Sequence, residues 1–329
     1  MIIFDKMIVH IGVPKSATST LQFQYFNRHS GINYFGKPYW CERVGLDKSV
    51  EFHHAISRIW QKDSLDYDAS IDGEILSRLI EERSIHGSVN LLSEEGLTNA
   101  GFVDRKIVAE RLKNVLKAKK IILTIRNQKT ALISLYNWYY TRTIVNLSFD
   151  SWISSMFCED YYRGGKRNFP FRQFEYDKLI NVYDGLFGKE NVLVIPIELL
   201  QADLEHFSSL LSEFIGIETE ETSNLLSCAK RENTSSGYIS TKIQRTIHKA
   251  RNLYFNYYLS HKKCDQMGHH YFSGVVPSLF NSIVQPIDAK PQRSSLSAIN
   301  SINEYFSKGN KNLVDRGRVD IEKYDYPIF

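Results

Sequence analysis

Cysteine is scarce in this sequence, and the few cysteines are widely spaced. Four widely spaced cysteines without a CxxC pair are not the pattern of a disulfide framework or of a structural zinc site, and they fit a reducing compartment better. The histidines do not indicate a metal site either. They include two adjacent pairs, His53 with His54 and His269 with His270, and adjacent histidines rarely bind one ion together. We therefore expect no metal site and a reducing compartment. The four cysteines form no CxxC pair: Cys41, Cys158, Cys228 and Cys264.

Long apolar runs and a strong net charge are also lacking. No stretch of ~18 apolar residues could cross a bilayer, and no signal peptide precedes the strand-like residues 7–13. The net charge of +4 over 329 residues is too small to indicate nucleic-acid binding. We expect a cytoplasmic protein without a transmembrane segment and without a nucleic-acid partner. A peripheral membrane contact is compatible with this composition, and the sequence does not indicate an oligomeric state.

What the sequence does contain is an alternation of strand-like and helix-like segments. Hydrophobic residues make up 43% of the chain, enough for a buried core. The alternation predicts βαβ units and an α/β fold around a central parallel sheet. Beyond Leu199 the chain reads as helix and loop. We predict one domain over residues 1–329, with an α/β core at 1–200 and a helical part at 201–329. The predicted strands are residues 7–13, 31–36, 89–93, 120–125 and 192–197, and the predicted helices include 74–83, 104–118, 175–187 and one running through Tyr140.

The loop between the first strand and the first helix has the chemistry of an anion site. It runs from Gly12 to Thr20 and carries Lys15 together with hydroxyls at positions 16, 18, 19 and 20. A helix N-terminus offers N–H groups and a positive dipole end to an anion. The Walker pattern GxxxxGK[ST] does not fit, because its second glycine and its lysine would fall on Ala17 and Thr18. A Ser/Thr-rich helix cap with a lysine nearby by chance is the alternative.

Residues 14–21 read PKSATSTL. This segment resembles the 5′-phosphosulfate loop, usually PK[ST]GT[ST]xL, of sulfotransferases that use 3′-phosphoadenosine 5′-phosphosulfate (PAPS). The resemblance implies a P-loop-type three-layer sandwich and a PAPS site, with 3′-phosphoadenosine 5′-phosphate (PAP) as product. The departure from the family pattern is Ala17, where glycine is usual. If position 17 needs a positive φ, alanine costs about 1 kcal/mol there, whereas a right-handed backbone would tolerate it. The implied PAPS-binding residues are Pro14, Lys15, Ser16, Ala17, Thr18, Ser19 and Thr20.

A second segment resembles the 3′-phosphate motif of the same family. Arg126 ends the KIILTI strand, and Ser134 follows eight residues later in the next helix. A guanidinium group and a hydroxyl suit the 3′-phosphate that distinguishes PAPS from other adenylates. Each residue alone also has an ordinary interpretation, Arg126 as a strand-end ion pair and Ser134 as a packing residue. The two motifs together favour the nucleotide site.

Two adjacent carboxylates follow the predicted strand at 89–93. Residues just past the carboxyl end of a parallel strand face the ligand crevice, and Glu94 and Glu95 stand there. The family resemblance implies that this strand end supplies the catalytic base, with Glu95 favoured and Glu94 second. Solvated charges at the start of the next helix are the alternative. Lys15 is the second expected catalytic residue, since it can neutralise charge that develops during transfer.

The predicted function is transfer of the sulfuryl group of PAPS to a hydroxyl or amine of an acceptor. We expect a glycan or glycolipid acceptor, because residues 237–263 combine six basic residues with tyrosines and contain no acidic residue. A packed helix with a solvated basic face is equally compatible with that stretch. Residues 229–237 lie where many relatives carry a lid. A PAP-binding module without catalysis and a small-molecule kinase are the rival functions, and the kinase would need a Mg²⁺-binding hydroxyl after a GK pair.

Overall fold

The computed structural model describes residues 7–36, 46–98, 103–157, 170–229, 245–246, 249 and 295–329. Five parallel strands form one sheet in the order β2-β3-β1-β4-β5. The predicted α/β class with a central parallel sheet is confirmed. All five predicted strands are present, and the strand at Val89–Ser93 has the predicted bounds. The strands are β1 Met7–His10, β2 Ile32–Phe35, β3 Val89–Ser93, β4 Ala118–Ile125 and β5 Val192–Pro196.

Helices follow each strand, as the alternation predicts. The first is a single α-turn, α1, which continues directly as a π-helix over Leu21–Phe26. Two further helices in the described part of the chain are not predicted from the sequence, at Leu46–Gln61 and Phe149–Met156. The α-helices are α1 Thr18–Thr20, α2 Leu46–Gln61, α3 Ala69–Arg83, α4 Arg105–Asn114, α5 Gln128–Thr141, α6 Phe149–Met156, α7 Tyr176–Phe187, α8 Leu199–Ala202, α9 Leu204–Ile215, α10 Thr219–Ser227 and α11 Leu296–Asp315.

The sheet is buried by helices, which explains why its strands are nearly continuous apolar runs. On one face, the π-helical segment packs with α9 and α10 against side chains from all five strands. The helices α4 and α7 contact β4. Because the strands are parallel, the loops after β1 and β4 both leave from the carboxyl edge of the sheet. The buried cluster includes Ile8, Leu91, Ile122, Ile195, Tyr25, Phe26, Phe207, Leu211 and Leu226.

The described residues divide into two compact units. The first contains the whole sheet and comprises the described residues up to 128, together with 170–229 and 303–329. The second comprises 129–157, the described positions 245, 246 and 249, and 295–302. The predicted boundary at residue 200 and the prediction of one domain stay predictions.

Two features of the described ranges bear on the expected partners. No helix found there has the length and hydropathy needed to cross a membrane. Within the same ranges, no group of three or more His, Cys, Asp or Glu side chains is placed to hold a metal ion. His53 of the first histidine pair contacts the carbonyl oxygen of Gly36. The second pair and Cys264 lie outside the described residues.

Candidate functional site

The lysine-bearing loop leaves the sheet from its central strand. β1 lies between β3 and β4, and its pairing with β4 continues past the strand end through Ile11 N–H to Ile122 O at 2.9 Å and Val13 N–H to Thr124 O at 3.1 Å. Gly12 sits between these bonds, where an added Cβ would lie 2.2 Å from the Thr18 methyl carbon and 2.6 Å from the Thr124 hydroxyl oxygen. A glycine at position 12 therefore lets the loop fold closely back over the strand end.

The loop contains two non-glycine residues with a left-handed backbone. Lys15 has φ 71°, and Ala17, which precedes α1, has φ 55° and ψ 24°. Left-handed residues in alternation turn successive N–H groups toward one concave side, which is how loops form anion-binding nests. Position 17 therefore does have a positive φ, the conformation that favours glycine and in which alanine is strained. The usual glycine of the family pattern is explained by the same geometry.

Restoring glycine at position 17 should stabilise the protein. We expect Ala17→Gly to raise the free energy of unfolding by about 0.5–1 kcal/mol, because relief of left-handed strain exceeds the added entropy of the unfolded chain. Urea denaturation measures the change. The control is Ala109→Gly inside α4, which should lower the free energy of unfolding by about 1 kcal/mol or more, because a buried methyl group is lost as well as helix propensity. If Ala17→Gly destabilised as much as the control, position 17 would not be left-handed.

The four hydroxyls of the loop do not share one environment. Ser16 is fully buried, and its Oγ donates to Val13 O at 2.7 Å and lies 3.0 Å from Thr124 Oγ1. Thr18 donates to a carboxylate oxygen of Glu95, and Thr20 is buried. Ser19 is the partly exposed hydroxyl residue of the four. The sequence predicts all four as donors to a ligand, whereas the Ser16 side chain is directed into the protein, and the Ser16 N–H also bonds to Val13 O, at 3.2 Å.

Glu94 and Glu95 lie at the end of β3, and their carboxylates have different surroundings. Glu94 is buried, and its Oε1 accepts from Gly96 N at 2.9 Å, so it caps the short 3₁₀ turn Glu95–Thr98. Glu95 is partly exposed and accepts from Thr18 at the beginning of α1. The structure therefore brings Glu95 to the start of the phosphate-loop helix. This arrangement favours Glu95 over Glu94 as the group that could accept a proton beside the loop.

Arg126 links the two predicted motifs through a hydrogen bond. Its guanidinium NH1 donates to the carbonyl oxygen of Lys15 at 2.7 Å, across 111 positions of sequence. The end of β4 thus lies against the loop that follows β1, as a shared nucleotide site requires. Ser134 is partly exposed on α5 and belongs to the second unit. Its pairing with Arg126 around one phosphate stays a prediction.

The backbone beside Arg126 is held by residues that the sequence analysis does not single out. Tyr176 of α7 donates from its hydroxyl to Arg126 O at 2.6 Å, and burial raises the pKa of this phenol. Glu198 accepts from Asn127 N–H at 2.9 Å and from the Tyr326 hydroxyl at 3.0 Å. The Asn127 amide donates to the carbonyl oxygens of Tyr324 and Asp325 at the end of the chain. No short motif marks these contacts, because they join segments 50 to 198 residues apart.

The basic stretch predicted to contact an acceptor contains one cation with a structural role. Arg245 is 9% exposed, its guanidinium donates to Val145 O at 3.0 Å and to Tyr140 O, and it stacks over the Tyr140 ring at 3.9 Å. A buried guanidinium with these partners does not face an acceptor, so including it among the acceptor-binding cations is wrong. Lys249 is exposed. Of residues 237–263, the structure describes only Arg245, Thr246 and Lys249. Positions 230–237 of the predicted lid also lie outside the described residues.

Fold and site together define a parallel α/β protein whose central strand leads into a lysine-bearing loop tied to an arginine at the next strand's end. No protein-family model matches the chain, and no curated protein is similar to it. Among solved structures, the sulfotransferase from Alicyclobacillus acidocaldarius is 18% identical with a TM-score of 0.46, and the match covers 65% of this chain and 81% of that one. Mouse sulfotransferase SULT7A1 complexed with PAP is 14% identical with a TM-score of 0.45, covering 97% of this chain and 88% of that chain. Similarities at this level assign no activity.

Proposed function

We propose that this protein is a sulfotransferase that transfers the sulfuryl group of PAPS to a hydroxyl or amine of an acceptor. The observation that carries the proposal is the hydrogen bond from Arg126 to the carbonyl oxygen of Lys15. It joins the end of β4 to the loop after β1, and these are the two segments that resemble the 3′-phosphate and 5′-phosphosulfate motifs of that family. A nucleotide with phosphates at both its 3′ and 5′ ends needs two such anion sites side by side.

The 5′-phosphosulfate would lie on the concave side of the loop. Lys15 offers a charged amine, and the first N–H groups of a helix have no partner within the helix, so those at the start of α1 suit an anion. Pro14, Ala17 and Ser19 complete the backbone of this cradle. The 3′-phosphate would contact the Arg126 guanidinium, with Ser134 as the predicted hydroxyl partner.

The proposed reaction is an in-line displacement at sulfur. The acceptor oxygen or nitrogen forms a bond to sulfur while the bond from sulfur to the phosphate oxygen of PAP breaks. Glu95 takes the acceptor proton, since its carboxylate lies against Thr18 at the start of the loop helix. Lys15 neutralises the charge that grows on the leaving phosphate oxygen and on the sulfuryl oxygens. Glu94 stays the second choice for the base.

The proposed acceptor is a glycan or glycolipid. Support comes from the remaining lysines, arginines and tyrosines of residues 237–263, because aromatic rings stack on sugars and cations attract anionic substituents. Arg245 is removed from this set by its burial. A peripheral membrane contact would accompany a glycolipid acceptor.

The preference for a 3′-phosphate is the direct test of the nucleotide assignment. Calorimetry should show that the protein binds PAP more tightly than AMP, and that Arg126→Ala weakens PAP binding by a factor about 10- to 100-fold larger than it weakens AMP binding, as expected when a charged hydrogen bond of about 1.5–3 kcal/mol is lost. Arg28→Ala, an exposed arginine in the same unit, is the control and should bind both nucleotides as the unaltered protein does. Equal affinity of the unaltered protein for PAP and AMP would refute the assignment.

A further inference from the structure

A continuous chain of buried hydrogen bonds runs beneath the loop, with His10 at its centre. His10 is the last residue of β1, and its Nδ1 lies 2.7 Å from Ser93 Oγ of β3, while its Nε2 lies 3.0 Å from Thr124 Oγ1 of β4. The chain extends from Ser93 to the Gln22 amide at 2.9 Å, and from Thr124 to Ser16 Oγ at 3.0 Å. All five side chains are at least nine-tenths buried. Three neighbouring strands, the loop and the π-helical segment are thereby connected through one imidazole.

The direction of every bond in this chain follows from counting protons. A hydroxyl carries one hydrogen, and that of Ser16 goes to Val13 O, which can only accept. Ser16 Oγ must therefore accept from Thr124, and Thr124, with its hydrogen used, must accept from His10 Nε2–H. His10 is then protonated on Nε2, and its bare Nδ1 accepts from Ser93.

The other end of the chain agrees with this assignment. Ser93 gives its hydrogen to His10, so its oxygen can accept the N–H that the Gln22 amide supplies. A second proton on His10 would leave Nδ1 facing a hydroxyl whose own hydrogen already points at it. Burial adds to this cost and lowers the pKa of His10 to about 3, so the ring is neutral near neutral pH. All groups in this chain of hydrogen bonds therefore have a partner only when His10 is neutral and carries its proton on Nε2.

The chain of hydrogen bonds ends in the part of the loop that has a left-handed backbone. Ser16 lies between the two left-handed residues Lys15 and Ala17, and its hydroxyl and amide both bond to Val13 O, at 2.7 and 3.2 Å. A Cβ added at Gly12 would come within 3.0 Å of the His10 ring carbon Cε1 and 2.6 Å of Thr124 Oγ1. The imidazole and its partners therefore lie directly beneath the loop and pack against it.

We infer that His10 is a positioning residue for the loop: as the neutral Nε2–H tautomer it orients Thr124, which orients Ser16 and thereby fixes the backbone at Lys15 and Ala17. The role of this loop in binding PAPS rests on the proposed function, whereas the hydrogen-bond chain and its effect on loop order do not. His10 is fully buried and its two ring nitrogens bond to Ser93 and Thr124, so its role would be to position the loop and not to exchange a proton with a ligand. Its contribution is to hold the loop N–H groups in place before the nucleotide arrives.

The test compares three variants at buried threonines. Thr124→Val keeps the shape but removes the group that accepts from His10 and donates to Ser16, while Thr124→Ser keeps the hydroxyl. Thr222→Val is the matched control, because Thr222 is also fully buried and its hydroxyl is also hydrogen-bonded, to Glu218 and Tyr25. We expect Thr124→Val to speed amide hydrogen exchange over residues 13–18 about tenfold, and to weaken PAP binding by a similar factor. Thr124→Ser should approach the unaltered protein, and Thr222→Val should change neither quantity.

Nitrogen NMR of the histidine ring in the unaltered protein tests the tautomer without any variant. The result expected is a neutral His10 ring with its proton on Nε2, and a proton on Nδ1 would overturn the inference. It would also be overturned if Thr124→Val exchanged over residues 13–18 no faster than Thr222→Val. Failure of the unaltered protein to bind PAP would refute the proposed function alone, since the exchange and NMR results would still decide the role of His10. If Thr124→Val does not fold, the NMR result and Thr124→Ser decide it.

Discussion

Lys15→Ala should lower the turnover number by about 10²-fold or more while PAP still binds. The reason is that the lysine amine would be the mobile cation of the loop, and the charge on the leaving phosphate oxygen and the sulfuryl oxygens grows only as the bond to sulfur breaks. Arg126 contacts the carbonyl oxygen of Lys15, not its amine, so the substitution leaves that link in place. Alanine has the same difficulty as lysine in adopting φ 71° at this position, and no new backbone strain is introduced.

Turnover measured with saturating PAPS, together with calorimetry of PAP, separates the two effects. Lys119→Ala, an exposed lysine on β4, is the control and should retain full turnover. A Lys15→Ala protein with near-normal turnover would remove Lys15 from the mechanism. Loss of PAP binding equal to the loss of turnover would assign the lysine to nucleotide binding, not to stabilisation of the transition state.

Glu95→Gln should abolish transfer and leave PAP affinity unchanged. The amide keeps the size of the side chain and an oxygen that can accept from Thr18, so the contact between the β3 end and the loop helix survives. What is lost is the ability to take a proton, which general-base catalysis requires. The measurement is a single-turnover assay with preformed protein–PAPS complex, in which binding does not limit the rate.

Glu94→Gln is the matched variant, since it makes the same change one residue earlier. Its oxygen can still accept from Gly96 N–H, so we expect near-normal transfer. An inactive Glu94→Gln protein beside an active Glu95→Gln protein would exchange the two roles. Activity in both variants would show that neither carboxylate is the base.

The sheet could be predicted from the sequence because its strands are short apolar runs in a regular alternation with helices. The helix α2 could have been found by the same reasoning, since Phe52, Ala55, Ile56 and Ile59 repeat at helical spacing and are all buried. The helix α6 has a recognisable beginning, with Ser148 capping it through Ser151 N–H at 3.2 Å, but only eight residues. The strand order and the π-helical segment could not be predicted, because both depend on packing between distant parts of the chain.

The functional side chains of the candidate site could be predicted from the sequence. The buried residues that hold the loop in place could not. Lys15, Arg126 and Glu95 stand at strand ends, where a parallel sheet collects its functional side chains. Nothing in the local sequence indicates that Ser16 turns inward, or that Lys15 has a left-handed backbone. Those features depend on Thr124 and His10, which belong to different strands. Reading Arg245 as an acceptor-binding cation is wrong for a related reason, since composition does not distinguish a buried guanidinium from an exposed one.

The most direct test of the central claim is transfer of radioactive sulfate from labelled PAPS to a panel of glycan, glycolipid, phenol and amine acceptors. The account predicts a labelled product with at least one glycan or glycolipid, equimolar PAP, loss of both products in Glu95→Gln, and about 10²-fold slower formation of both in Lys15→Ala. A labelled phenol alone would confirm the reaction and contradict the acceptor class. No labelled product from any acceptor, with a protein that binds PAP normally, would contradict the claim that this protein is a sulfotransferase and would leave a PAP-binding module.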